Sequence, residues 1–164
     1  MGAWLSLDVD PIALAEAGFE RGWSPWWMTA NLADVPPSSD RRVRLEQDTD
    51  DYGGEHADYR ERLAITRMEP RIAWYASAHT QAGRFAGRAW SFRDGDLAGI
   101  FDMNVWPRFQ RRGIGTALLS AVCGAAWREG AQQAVLNATP EGKRLYQTCG
   151  FTQIGEGITW WLHL

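Results

Sequence analysis

The chain has 164 residues, 45 % of them apolar and 23 % charged, with a formal net charge of −3. That length supports one domain with a proper hydrophobic core, and the composition excludes a disordered chain. The slightly acidic balance argues against nucleic acid or an anionic membrane as a partner.

The first residues, Met1 to Pro11, lack a basic start and a long apolar run, so no signal peptide is expected. No apolar run anywhere approaches the ~18 residues of a membrane span, and the expected compartment is the cytoplasm. Asp10 and Pro11 read as helix cap and first helical residue, opening a short helix that stops at Gly18. Residues 22–40 are rich in Trp, Pro and Ser and read as an irregular arm, with a composition boundary near 36–40. The expected organisation is therefore a Trp-rich N-terminal helix and arm over 1–40 and a main domain over 41–164. Of the ten tryptophans, Trp4, Trp23, Trp26 and Trp27 fall in the first part. They serve as buried area, as cover for an acceptor cleft, or as an interface, a homodimer being one arrangement left open.

Residues 42–47 alternate as a strand. An acidic loop follows over 48–55, and a helix over roughly 55–67. A cationic amine would find the loop favourable, although a solvated loop explains it as well. Its start resembles a calcium-binding loop, but the later ligand positions hold Tyr52 and Tyr59, and that reading fails. Three strands come next: RIAWYASAH, then RFAGRAWSF, then residues 97–106, the last two joined by a strong Arg-Asp-Gly-Asp hairpin turn. A helix runs from about 113 to 129 with Ile114, Leu118, Val122 and Ala125 on one face, and Gly130 stops it. A short buried strand QAVLN, a helix from Pro140 to Gly150, and two strands around a Gly-Glu-Gly turn close the chain. This order predicts a mixed, mostly antiparallel α/β sheet of about six to seven strands with flanking helices. Cys123 and Cys149 form no CxxC and no Cys/His cluster, so they read as buried reduced thiols and no metal site is expected.

The stretch RFQRRGIGTALL, residues 108–119, carries the chemistry. A helix start has unpartnered N–H groups and partial positive charge, which an anion can satisfy. Glycines at 113 and 115 clear the approach, and Arg111 and Arg112 add charge at the rim. A P-loop would need a lysine that is missing, and the dinucleotide fingerprint would need glycine where Leu118 stands. A Gly-rich turn with no ligand is the plain alternative.

At this point the chain resembles the GNAT family of acyl-CoA-dependent N-acyltransferases. Gln-Arg-Arg-Gly-Ile-Gly at 110–115 fits that family's pyrophosphate pattern Q/R-x-x-G-x-G/A, and Val105 with Pro107 resembles the end of its fourth strand. Leu145-Tyr146 followed by Gly150-Phe151 is similar to its closing segment. The resemblance covers about 41–164 and implies a sheet whose fourth and fifth strands splay apart. It implies acetyl-CoA, as cosubstrate, lying in that gap. Met103, Asn104 and Val105 would flank the pantetheine, Gln110, Arg111, Arg112, Gly113, Ile114, Gly115 and Thr116 would hold the pyrophosphate, and Asn137 would face the pantetheine or thioester. The implied reaction is direct transfer of an acetyl or other short acyl group to an amine on a small molecule, peptide or protein. Tyr146 is the expected general acid at the leaving sulfur. Asp102 is the expected base or substrate contact, although strict alternation turns it away from Met103 and Val105 unless a bulge intervenes. His79 and His56 are further candidates for the base. A non-catalytic acyl-CoA-binding module of the same fold is the alternative reading.

Overall fold

Strands from both ends of the chain share one sheet. The structure, a computed structural model, describes residues 2–6, 10–46 and 63–163. Its elements are β1 (Gly2–Ser6), α1 (Ile12–Glu16), β2 (Glu20–Arg21), β3 (Trp26–Asn31), β4 (Val43–Glu46), β5 (Ala73–His79), β6 (Phe85–Asp94) and β7 (Leu97–Val105). There follow α2 (Ile114–Arg128), β8 (Gln133–Ala138), α3 (Pro140–Thr148) and β9 (Thr152–Trp161). The sheet order is β1-β9-β3-β8-β7-β6-β5-β4, with β2 also pairing β9. Among the described residues β7 and β8 run parallel, and the other pairs are antiparallel. The mixed α/β architecture is as expected. Among the described residues nine strands are present, more than the expected six to seven, because the N-terminal residues add β1, β2 and β3.

The stretch expected as an irregular arm supplies β3. Trp26–Asn31 pairs residue for residue with Ala138 back to Gln133 on one side and with β9 on the other. Met28, Ala30, Leu32 and Val35 are buried in the main core. The composition boundary near 36–40 thus falls between pieces of a single sheet. Leu32, at 2 % exposure, packs among residues 100 positions away in sequence or more, such as Leu136 and Phe151. Leu32→Ala should cost about 3 kcal/mol through lost burial and the cavity left behind. Urea unfolding measures this, and an unchanged midpoint would show the N-terminal segment standing outside the cooperative unit.

The closing residues also differ from expectation. The two strands around a turn are one continuous strand, β9. Its first half lies along β3 and its second half along β1 and β2, so Trp27 of β3 holds Gly155 extended and Ser6 of β1 holds Gly157. Gly157 serves close approach there: a Cβ would come within 2.6 Å of the Trp27 indole nitrogen and 2.8 Å of the Leu5 carbonyl. At the other end, α1 begins at Ile12 with Pro11 as its cap residue, while the Asp10 carboxylate accepts from the Ile12 N–H at 3.0 Å.

β5 is buried through six of its seven residues because both faces are covered. On one face α2 packs Leu118, Leu119, Val122 and Cys123 against Trp74, Ala76 and Ala78. On the other, Leu63 packs with Tyr75 and Trp90. Of the helix expected over 55–67, a one-turn 3-10 helix at Ala64–Arg67 is described. Its earlier part, the acidic loop 48–55 and His56 lie outside the described residues. Cys123 and Cys149 are free and buried, and burial pushes the Cys123 thiol up to about 12.

Candidate active site

The parallel pair β7–β8 opens into a wedge. Its register runs from Leu97 opposite Gln133 to Ile100 opposite Leu136 and then stops. Beyond that point β7 follows β6 as far as Val105 opposite Gly87, while β8 follows β3 as far as Ala138 opposite Trp26. Each strand is pinned on its outer side, and their inner edges face a cleft of about 1070 Å³. Met103, Asn104 and Val105 line it from β7, Asn137 from β8, Gln110, Arg111 and residues 113–116 from the loop and start of α2, and Tyr146 from α3. Arg112 is outside the lining. Its carbonyl accepts from Arg42 at 2.9 Å, and Arg42 is in turn held by Asp40.

The mouth of this cleft is a helix start without a cap. Gly113 occupies the cap position at φ 77 with no side-chain bond to the first turn, and Arg111 has φ 57. The first turn closes with the Ala117 N–H on the Gly113 carbonyl at 3.0 Å. Among the described residues, the N–H groups of 111–116 find no acceptor. Successive amides turned the same way at a positive helix end form an anion cradle. The residues present therefore fit a diphosphate.

The two glycines do different work. Gly113 is exposed, and a Cβ there would have its nearest neighbour, the Arg42 guanidinium, at 4.0 Å. Gly115 is buried, and a Cβ there would lie 2.6 Å from Leu145 Cδ1. So Gly113 leaves the cradle open, while Gly115 lets α2 approach α3. Gln110 ties the loop down by donating its amide to the Val105 carbonyl at 2.9 Å. Gln110→Ala should cost about 1 kcal/mol of loop order, read as roughly fivefold weaker coenzyme A binding by calorimetry.

Deeper in the cleft, Asn137 Oδ1 is buried with no donor. An orphaned buried acceptor is costly, so it suits a ligand amide N–H. Tyr146 is buried, and its hydroxyl contacts Met103 Sδ at 3.8 Å. Burial, with smaller contributions from Cys123 and Cys149, pushes its phenol up to about 12. A Cβ on Gly142 would stand 3.0 Å from the Tyr146 ring, so glycine there gives the ring its place.

A bulge does intervene at Asp102. The β6–β7 register shifts between Arg88 and Trp90, and Asp102 takes φ 48. Both carboxylate oxygens accept from Arg88, from Nη2 at 3.0 Å and Nε at 3.2 Å. Asp102 lines the cleft with Phe101 and with Trp23 from the N-terminal segment. His79 stands outside the lining. Its Nδ1 is 3.5 Å from Ser77 Oγ, which donates to the buried Glu46 carboxylate. Arg88 escaped the reading of the sequence. Its only mark there is a lone charge inside the strand stretch Phe85–Phe92.

Among the described residues no group of His, Cys, Asp and Glu could hold a metal ion. None of the described helices is long and apolar enough to cross a membrane.

The family described as "Acetyltransferase (GNAT) domain" matches residues 49–159. No curated protein matches the chain. Among solved structures, a GCN5-related N-acetyltransferase from Kribbella flavida is similar over 97 % of this chain and 66 % of its own, at 17 % identity and a TM-score of 0.65. A GNAT-family protein from Novosphingobium aromaticivorans is similar over 97 % and 72 %, at 20 % identity and 0.66. A third, a GCN5-related N-acetyltransferase from Sphaerobacter thermophilus, gives 97 % and 58 %, 20 % identity and 0.64. The chain thus spans about two thirds of the length of these structures, and at such identities the likeness is one of fold.

Proposed function

The chain belongs to the GNAT acetyltransferase family, and from that premise we propose that it transfers a short acyl group, most simply acetyl, from acyl-coenzyme A to an amine by direct attack. The observation that carries this reading is the uncapped start of α2, whose unpartnered amides open into the same cleft as Tyr146. The bound coenzyme would supply an activated thioester. The amides of 111–116, with Arg111 at the rim, would hold its diphosphate. The edge of β7 from Met103 to Val105 and the orphaned Asn137 oxygen would take up its amide-bearing arm as an added strand.

Tyr146 supplies the proton at the sulfur. Its phenol is neutral at pH 7, as any tyrosine's is, and burial keeps it so well into the alkaline range. Its present contact is a thioether, a weak acceptor that a developing thiolate outcompetes. Asp102 lines the same cleft, and in this reading it takes the proton of the incoming amine.

Release of free coenzyme A from acetyl-CoA across a panel of amines tests the proposal. Acetyl-CoA binding in calorimetry without release on any amine would instead support the alternative, a binding module that keeps the fold without the chemistry.

A further inference from the structure

An anion cradle binds well when its amides are already held in place before the ligand arrives. The loop that carries this cradle has a conformation its own residues resist. Arg111 is not glycine, yet it takes φ 57, and Gly113 follows at φ 77. Such backbone persists where the surroundings over-determine it. Two side-chain bonds tie the loop to the rest of the molecule. Gln110 donates to the Val105 carbonyl on one side. On the other, Arg42 Nη2 donates to the Arg112 carbonyl at 2.9 Å. We infer that Arg42 is a positioning residue for the diphosphate, one that sets the direction of the Gly113 amide without touching the ligand. This deepens the coenzyme-binding part of the acyl-transfer reading and rests on it.

The first support is peptide geometry. The Arg112 carbonyl and the Gly113 N–H belong to one planar trans unit and point in opposite directions. Holding the carbonyl on Arg42 therefore also fixes the N–H, which is one of the amides that find no acceptor. Glycine adopts φ of either sign with ease, so Gly113 does little to hold that unit itself. The hold comes from a residue 70 positions earlier in the chain.

The second support is that Arg42 is itself fixed. Asp40 Oδ1 accepts from Nε at 2.9 Å, and Oδ2 accepts from Nη2 at 2.6 Å and from Nε at 3.1 Å. Oδ1 also accepts from the Arg42 backbone N–H at 3.0 Å, closing a turn at the entrance to β4. The Arg42 carbonyl accepts from the His79 N–H of β5 at 2.7 Å. The arginine is thus anchored at both its backbone and its head. An exposed ion pair adds little to stability as a pair, and the effect of this one is on direction.

The third support is charge. Arg42 stands outside the lining of the cleft, and the Asp40 carboxylate already compensates its guanidinium. What Arg42 gives the cradle is then orientation rather than attraction. The two roles predict opposite signs for the loss of Asp40. Without the carboxylate an attracting cation would draw the anion more strongly, whereas a positioning arginine would lose its own support.

The test titrates coenzyme A, and pantetheine, which has the arm but no diphosphate, into the protein and its variants by calorimetry. Arg42→Met should weaken coenzyme A binding about tenfold, as expected for one charge-assisted hydrogen bond. Pantetheine affinity should stay within about twofold. A loss shared equally by both ligands would mark a general structural role and overturn the inference. Asp40→Asn keeps an acceptor for the turn but gives up the charged fork, and it should weaken coenzyme A binding about threefold. Tighter binding in Asp40→Asn would show that the diphosphate senses the charge of Arg42, which also overturns the inference. The double variant should lose no more than Arg42→Met alone, because Asp40 acts only through Arg42. Additive losses would count against that chain of contacts and overturn it. Unchanged coenzyme A affinity in Arg42→Met overturns the inference while the coenzyme reading stands. A wild-type protein that binds no coenzyme A removes that reading, and this inference with it.

Discussion

Replacing Tyr146 by phenylalanine is expected to lower kcat by about 10²- to 10³-fold, within the usual reach of a general acid. The affinity for coenzyme A should change by less than about threefold, because Tyr146 sits beyond the diphosphate cradle and loses one oxygen. The ring's packing survives the change: it lies 5.9 Å from Phe151 and against Gly142, and phenylalanine keeps both contacts. Its hydroxyl has only a sulfur acceptor, so removal orphans no strong partner. Pre-steady-state release of coenzyme A separates the chemical step from product departure. The pH profile adds a second readout. With the phenol raised to about 12 by burial, Tyr146 stays protonated through the neutral and mildly alkaline range. Wild-type kcat should therefore show no alkaline fall from this group below about pH 10. Equal kcat in the phenylalanine variant would remove Tyr146 from the chemistry and leave it a wall of the cleft.

β4 to β8, α2 and α3 are legible in the sequence because their patterns are local. β5 to β7 are bounded by turns, and α2 has an apolar face ended by Gly130. β3 was not legible, for a physical reason. Trp-Trp-Met-Thr-Ala-Asn has no clean alternation, and Pro25 stands at its start. It is a strand because β8 and β9, more than a hundred residues later, flank it on both sides. No property of a six-residue window announces such partners. β9 shows the converse: its glycines suggest a turn, and pairing with β3 at Gly155 and with β1 at Gly157 holds them extended.

The site divides in the same way. The uncapped helix start is written into consecutive residues, so a short window of sequence shows Gly113 and its neighbours. Asp102 depended on a bulge, and alternation counts residues without seeing where pairing slips. Arg88 depended on that same slip, since only the bulged register brings a carboxylate to it. Gly115 lies two residues from Gly113 and reads alike, but its neighbour Leu145 comes from another helix.

Gly113→Val should weaken coenzyme A binding by at least about 100-fold. The backbone there has φ 77, a region that costs a branched residue on the order of 1–2 kcal/mol. If the chain kept that conformation, the new side chain would project from the rim where the anion must approach the amides of 111–116. If it relaxed to negative φ, those amides would no longer converge. Either route removes the cradle, and the contacts of α2 with the core are made further along by Ile114, Leu118 and Leu119. The melting temperature should therefore fall by only a few degrees, which thermal unfolding checks alongside calorimetric titration with coenzyme A. A variant of normal affinity would mean that the diphosphate is held elsewhere. Gly115→Val should behave differently, because its Cβ would stand 2.6 Å from Leu145 Cδ1, so the Leu145 side chain between α2 and α3 must repack. Its main effect should be on stability, with binding reduced as a consequence. The contrast between two glycines two residues apart separates a backbone kept open for an anion from one kept small for packing.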